Sequence, residues 1–354
     1  MSGDVLRQAE LDAARLLLSK MGISPDELLA TPGPSVPAPT FSEYVPGLVE
    51  TVSPGSRKTH LTHWNRLVER WPNRPITEPT VTELESLREW TKTNAVQRSN
   101  GRGGVSAAEN FVSAIRYLYQ HAENDGLISA ADNPARKVAK PPRRPSGRSA
   151  IAHEKLAEIN VVVSSTGDDP DLDSLIIRLH TETAARRGGA LALRPIDLDV
   201  EQGVIRLREK GGTVRWQPVS GTLMTHLVRH SLERRAPGRE QLLRYRNFKP
   251  ITYRRYDHLW ARVRSALPWA DAHQISNHWL RHTTLTWVER NFGEAVARAY
   301  AGHAEPKGDS GVTAVYVRAN PIEVAMALAA LTGERHPMCP DYLPPQLVAA
   351  AAAG

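Results

Sequence analysis

His278-Trp279-Leu280-Arg281-His282-Thr283-Thr284 is followed by Ala301-Gly302-His303 and then by Tyr316. It is a row of cations and imidazoles set ahead of one phenol. A free tyrosine has a pKa of ~10 and is a poor nucleophile at neutral pH. Nearby cations favour its phenolate and neutralise a phosphate that it attacks. Arg186 and Lys210, further upstream, complete a set suited to displacing a phosphodiester with tyrosine.

Outward from that set, the 354 residues suffice for two ordinary domains, each with a core of its own. Apolar residues make up 41% and charged residues 23%, the balance of a globular chain. No apolar run approaches the ~20 residues that span a bilayer. Met1-Ser2-Gly3-Asp4 lacks the positive start and apolar run of a signal peptide. The single cysteine, Cys339, excludes an internal disulfide framework and a cysteine-based zinc cluster. A soluble, cytoplasmic protein without a membrane partner is expected. The net charge of +7 favours a polyanionic partner. Only nine of the 45 basic residues are lysine, and arginine suits bidentate phosphate contacts. A GC-rich genome would also enrich arginine for codon reasons alone.

In chain order, residues 1–40 carry a helical apolar pattern (Leu6, Ala9, Ala13, Leu16, Leu17, Met21), then a stiff arm with Pro32, Pro34, Pro37 and Pro39. Such a helix is expected to dock on its own core or on a neighbouring copy. Residues 41–135 read as an all-helical unit: Phe41–Thr51 with Ser42 as cap, 56–71, 82–94 and 106–125. Trp64, Leu67, Leu84, Leu87, Trp90, Phe111, Ile115, Leu118 and Tyr119 should point inward, and Gly126 should end the last helix. Basic residues such as Arg57 and Lys58 lie on other faces. Residues 136–148 form a linker with Arg136, Lys137, Lys140, Arg143, Arg144 and Arg148, no acid, and prolines that forbid a helix. A basic extended connector can track a duplex backbone; the bland alternative is a solvated hinge.

Residues 149–335 read as a second, α+β unit, and 336–354 as a tail with no packing pattern. Helices are expected near 152–165 and 170–184, strands over 196–200, 204–207 and 213–219, with Lys210-Gly211-Gly212 as the turn of a hairpin. Further helices follow over 221–233, 252–266 (bearing Arg254 and Arg255), 278–291, 294–301 and 321–332.

Each chemical residue has a bland reading: a surface arginine at 186, a solubility lysine at 210, a core tyrosine at 316. Tyr300 precedes His303 and falls outside the order. His278, His282 and His303 as a metal site lack both an HExxH pattern and a partner cysteine, so no metal is expected and His282 reads as structural. What lifts Arg186, Lys210, His278, Arg281, His303 and Tyr316 above these readings is their order together with the hairpin context of the lysine. In that order they resemble the tyrosine recombinase (phage integrase) family.

The resemblance implies a mainly α chain with a small β-hairpin or sheet. It implies a two-lobed DNA clamp, a helical core-binding domain joined to an α+β catalytic domain. Arg186 and Arg281 would hold the non-bridging phosphate oxygens, and His278 and His303 would assist by hydrogen bonding and acid–base help. Lys210 would protonate the departing 5′ oxygen, and Tyr316 would form a 3′-phosphotyrosine. Because that link keeps the bond energy, no cofactor is implied. Double-stranded DNA and a tetramer on DNA are the implied partners, with accessory DNA-bending or directionality proteins beside them. A mobile-element integrase is expected, associated with the nucleoid when on DNA. Alternatives are a DNA-binding protein with a degenerate site and a type IB topoisomerase-like relaxing enzyme. Two departures stand out: Gly189 occupies a position where the family usually has an acid, and Ala185 one where it has a bulky apolar residue. Glu182, one turn earlier, is the expected stand-in for the missing acid.

Overall fold

The structure is a computed structural model, which describes residues 2–22, 24, 38–96, 102–142, 149–209, 212–302 and 320–340. Lys210, His303 and Tyr316 of the expected catalytic set lie outside the described residues, as do Arg143, Arg144 and Arg148. The chain divides into two compact units, Met1–Arg144 and Pro145–Gly354. No helix among the described residues is long and apolar enough to cross a membrane.

The first unit is helical: Ser2–Met21, Phe41–Thr51, Pro54–Arg70, Val81–Thr93, Val105–Asn124 and the short Pro134–Lys137. On the first helix Leu11, Leu16, Leu17 and Met21 are exposed. The second helix starts from Thr40 rather than Ser42: the Thr40 N–H donates to Glu43 at 2.8 Å, while the Ser42 hydroxyl donates to the Pro72 carbonyl. Thr80 and Glu83 repeat the device ahead of Val81–Thr93. Trp64, Leu67, Leu84, Phe111, Ile115, Leu118 and Tyr119 are fully buried. The polar ends of the two large rings are satisfied, since Trp64 Nε1 donates to Ala114 O (2.9 Å) and the Tyr119 hydroxyl to Ile76 O (2.8 Å). Trp90 departs from expectation. It is half exposed, and Arg66 covers its ring at 5.7 Å, so a cation takes the place of a core contact.

The second unit packs His153–Ser165, Pro170–Thr183, Arg187–Leu191, Gly221–Glu233, Tyr253–Ala266, Pro268–Ala272, Asn277–Ala301 and Pro321–Thr332 around one small sheet. Its strands β1 (Leu198–Asp199), β2 (Val204–Arg208) and β3 (Val214–Pro218) are antiparallel in that order. The first strand is shorter than its sequence suggests. Pro195–Asp197 form a 3-10 turn, in which the Asp197 carboxylate accepts from the Arg194 N–H (3.1 Å). The two helices expected over 278–301 are joined into one assignment, yet Gly293 (φ 83°, ψ 168°) breaks the helical backbone between them. Ile176, Leu179, Ile205, Leu207, Leu223, Leu227, Leu259 and Leu280 form the core.

The described residues after Pro321–Thr332, for which the sequence offers no packing pattern from 336 on, are held by specific contacts. His336 Nε2 meets Gly203 O at 2.9 Å, Glu334 accepts from the Thr222 N–H, and Cys339 is buried against Ala325 and Ala329. Residues 333–340 thus pack on their own unit.

Candidate active site

The helix Pro170–Thr183 ends at Ala184, whose left-handed backbone (φ 48°, ψ 27°) turns the chain sharply. Arg186 follows in extended conformation and caps the short helix Arg187–Leu191, its carbonyl accepting from the Gly189 N–H at 2.9 Å. The turn is held from two sides. His180, fully buried, bonds through Nδ1 to Ala185 O (2.9 Å) and through Nε2 to the Tyr256 hydroxyl (3.0 Å). A neutral ring with the proton on Nδ1 donates to the carbonyl and accepts from the tyrosine. Burial pushes the His180 pKa down to about 4, which keeps the ring neutral.

The second brace is Glu209, one residue beyond β2. Its carboxylate accepts from the Arg186 backbone N–H at 2.7 Å and from Arg186 Nη1 at 2.5 Å. The Glu209 side chain is fully enclosed, whereas that of Arg186 is about a third exposed. A charge-assisted pair of this kind fixes the guanidinium while part of it faces outward. Glu182 does not take this role. Its carboxylate is bound by Arg178 (2.6 Å), the Ser220 N–H (3.1 Å) and the Ser220 hydroxyl (3.0 Å). The helix carries Glu182 toward the start of Gly221–Glu233 rather than toward the arginine that follows its own C-terminus.

Arg281 lies in the helix Asn277–Ala301 and is 4% exposed. Its guanidinium donates to the Ala184 carbonyl and, through Nη2, to the Ala301 carbonyl at 2.8 Å. It therefore ties the Arg186 turn to the chain entering Gly302-His303. Burial first, then Arg186 and Arg215, lower its pKa to about 10, with Glu209 opposing them. It remains a cation at neutral pH. His278, three residues earlier on the same helix, is exposed. His282 Nδ1 lies 2.9 Å from Thr286 Oγ1, a contact within the helix that fits its structural reading.

Arg215 of β3 was not singled out by sequence reasoning. Its side chain is 9% exposed, donates through Nη2 to Thr183 O (3.1 Å), bonds Gln217 through Nη1, and has Nε 3.8 Å from Glu209. Gly302 lies against it so closely that an added Cβ would come within 2.4 Å of Arg215 Cδ. Gly302 also has φ +59°, so glycine is favoured there on two counts. The signal for Arg215 was the strand alternation: Gln217 and Val219 share its face, both are buried, and Leu207 opposite it is buried too. Glu209 had a fainter signal, an acid interrupting an otherwise basic hairpin beside Lys210.

Around one carboxylate the fold therefore gathers Arg186, Arg215 and Arg281, a net positive cluster able to stabilise phosphoryl oxygens. Tyr300 is no rival nucleophile. It is fully buried, its hydroxyl donates to the Glu182 carbonyl, and burial drives its pKa far up. Among the expected DNA contacts, Arg57, Lys58, Lys137, Lys140 and Arg254 are exposed. Arg136 is exposed while paired with Glu123 at 2.7 Å. Arg255 is a correction. It is 6% exposed and bonds Asp173 (2.7 Å), Asp168 (2.7 Å) and the Asp169 carbonyl, so its fork faces inward.

Residues 151–321 match the sequence profile of the Phage integrase family. No curated protein sequence matches the chain. Among solved structures the chain is similar to a lambda integrase tetramer bound to a Holliday junction, with 14% identity and a TM-score of 0.58. That likeness covers 88% of this chain and 90% of the other. It is also similar to a lambda integrase dimer bound to a COC' core site (15% identity, TM-score 0.56, 79% and 77% covered). The Tn1549 transposon integrase in complex with transposon right end DNA gives 16% identity and a TM-score of 0.58, covering 79% and 95%. At these identities the likeness is one of fold.

Proposed function

We propose that this chain, whose residues 151–321 match the Phage integrase family, is a site-specific DNA recombinase acting through a tyrosine. The observation that carries this reading is the arginine cluster. Arg186 and Arg281 are fixed from one turn, one by Glu209 and the other by two backbone carbonyls, so their charges stand together. Two guanidinium groups suit the two non-bridging oxygens of a phosphodiester under attack.

In the proposed reaction Tyr316 passes its hydroxyl proton to His278, acting as base, and attacks the scissile phosphorus. The P–O5′ bond breaks, a 3′-phosphotyrosine forms, and Lys210 donates a proton to the departing 5′ oxygen. His278 and His303 assist by hydrogen bonding to the phosphate and by acid–base help. Attack by a 5′ hydroxyl of the partner strand then reverses the bond changes and releases tyrosine. Exposed Arg57, Lys58, Lys137, Lys140 and Arg254 are proposed to contact the DNA backbone. A tetramer on DNA and a mobile-element origin are part of the proposal. Likeness to a lambda integrase tetramer on a Holliday junction and to a transposon integrase supports them.

The test is covalent trapping on nicked duplexes cut from DNA flanking the protein's own gene. The wild-type chain should give a slow-migrating protein–DNA adduct on a denaturing gel, absent from Tyr316→Phe. Sequence-specific binding without an adduct would overturn the strand-transfer reading and leave a DNA-binding protein.

A further inference from the structure

We propose that Glu209 is the positioning residue of the cleavage site, setting the place and direction of the Arg186 guanidinium; this rests on the recombinase reading. Three observations converge on it. The carboxylate grips Arg186 at two points, backbone N–H (2.7 Å) and Nη1 (2.5 Å), which fixes both the place and the direction of the guanidinium. The Glu209 N–H donates to Thr213 O at 2.8 Å, which fixes the backbone that carries the carboxylate. The side chain itself is fully enclosed, with the Arg215 guanidinium on its other side.

The fourth observation concerns space. A Cβ built on Gly189 would lie 3.0 Å from Glu209 Cγ and 3.3 Å from its Oε1. A side chain at position 189 would thus crowd the Glu209 side chain, which would have to give way by a few tenths of an ångström. Gly189 has no positive φ, so its backbone accepts a side chain and the crowding comes from the Glu209 side chain and the Arg208 carbonyl. The acid that orients Arg186 arrives from a strand 23 residues away instead of from the helix that Arg186 caps.

This arrangement predicts a reciprocal exchange. Glu209→Ala removes the brace and vacates the volume, and Gly189→Asp in that background returns a carboxylate to it. Gly189→Asp alone presses a second carboxylate against Glu209. The measurements are single-turnover adduct formation on the nicked duplex at saturating protein, DNA affinity by fluorescence anisotropy, and thermal midpoint. Glu209→Ala should lose on the order of a hundredfold in cleavage rate, the scale of removing one oriented charge-stabilising contact. Its DNA affinity should change less than about threefold, since orientation rather than backbone contact is lost. The Glu209→Ala/Gly189→Asp double variant should recover at least ~tenfold of the rate. Glu209→Gln, which keeps the shape, carries the test if the alanine variant does not fold, and should cleave more slowly than wild type at unchanged affinity.

A wild-type adduct together with full-rate cleavage by Glu209→Gln and Glu209→Ala would overturn the assignment while leaving the recombinase reading intact. A double variant no faster than Glu209→Ala would overturn the shared-volume account. No wild-type adduct on the bound site would remove both readings together.

Discussion

Gly302→Ala tests how closely the end of the long helix and the third strand must approach. Gly302 closes Asn277–Ala301 in the left-handed region (φ 59°, ψ 40°), where an L-residue costs about 1–2 kcal/mol. The new methyl would also stand 2.4 Å from Arg215 Cδ and 2.7 Å from its Nε. Arg215 cannot swing aside freely, its side chain being 9% exposed and tied to Thr183 O and Gln217. Overpacking of that kind costs about 1–3 kcal/mol. Together these give a loss of about 3 kcal/mol, or a fall of about 10 °C in the midpoint of a unit of this size. Scanning calorimetry measures it. Gly302→Asn separates the two contributions, because asparagine tolerates the backbone but not the contact. In a double-mutant cycle with Arg215→Ala, the clash vanishes and the double variant should be less unstable than the sum by about 1–3 kcal/mol. Additivity within about 0.5 kcal/mol would refute the close-approach account. So would a Gly302→Ala midpoint within about a degree of wild type.

Two further outcomes follow from buried charge. Arg255→Ala should cost about 3 kcal/mol by leaving the fully buried Asp173 with Arg262 alone, and should leave the salt dependence of DNA binding unchanged. A phosphate-contacting arginine would do the reverse, flattening the salt slope by about one unit at unchanged stability. His180 gives a pH dependence. Burial lowers its pKa to about 4 in the fold, so its contribution is present above the unfolded value of 6.5. That contribution is lost as pH falls from 6.5 through about 4. The full loss is on the order of 3 kcal/mol. Urea midpoints measured between pH 7 and 4 should fall less steeply for His180→Gln than for wild type. Equal slopes would show that His180 takes up a proton without opening the fold.

What the sequence determined by itself was whatever repeats over a turn or a pleat. The helices 41–51 and 321–332 were legible to the residue, since an apolar stripe lies within each segment, although the first is capped by Thr40 and not by Ser42. The pairing of His278 with Arg281 on one helix, and the place of Arg186 just past a helix end, came from spacing in the same way. Which neighbour completes each of these residues was not legible. Glu182 is nearer to Arg186 in sequence, yet the helix aims it at Ser220, while Glu209 reaches the arginine across a hairpin. Arg254 and Arg255 are adjacent and chemically alike; one is exposed, and the other is buried because Asp168 and Asp173 wait more than 80 residues upstream. Arg215 lies in the site against Gly302, where a Cβ would meet its side chain. Periodicity is local, whereas ion pairing and close packing depend on distant segments meeting at ångström range. The tertiary structure alone decided those.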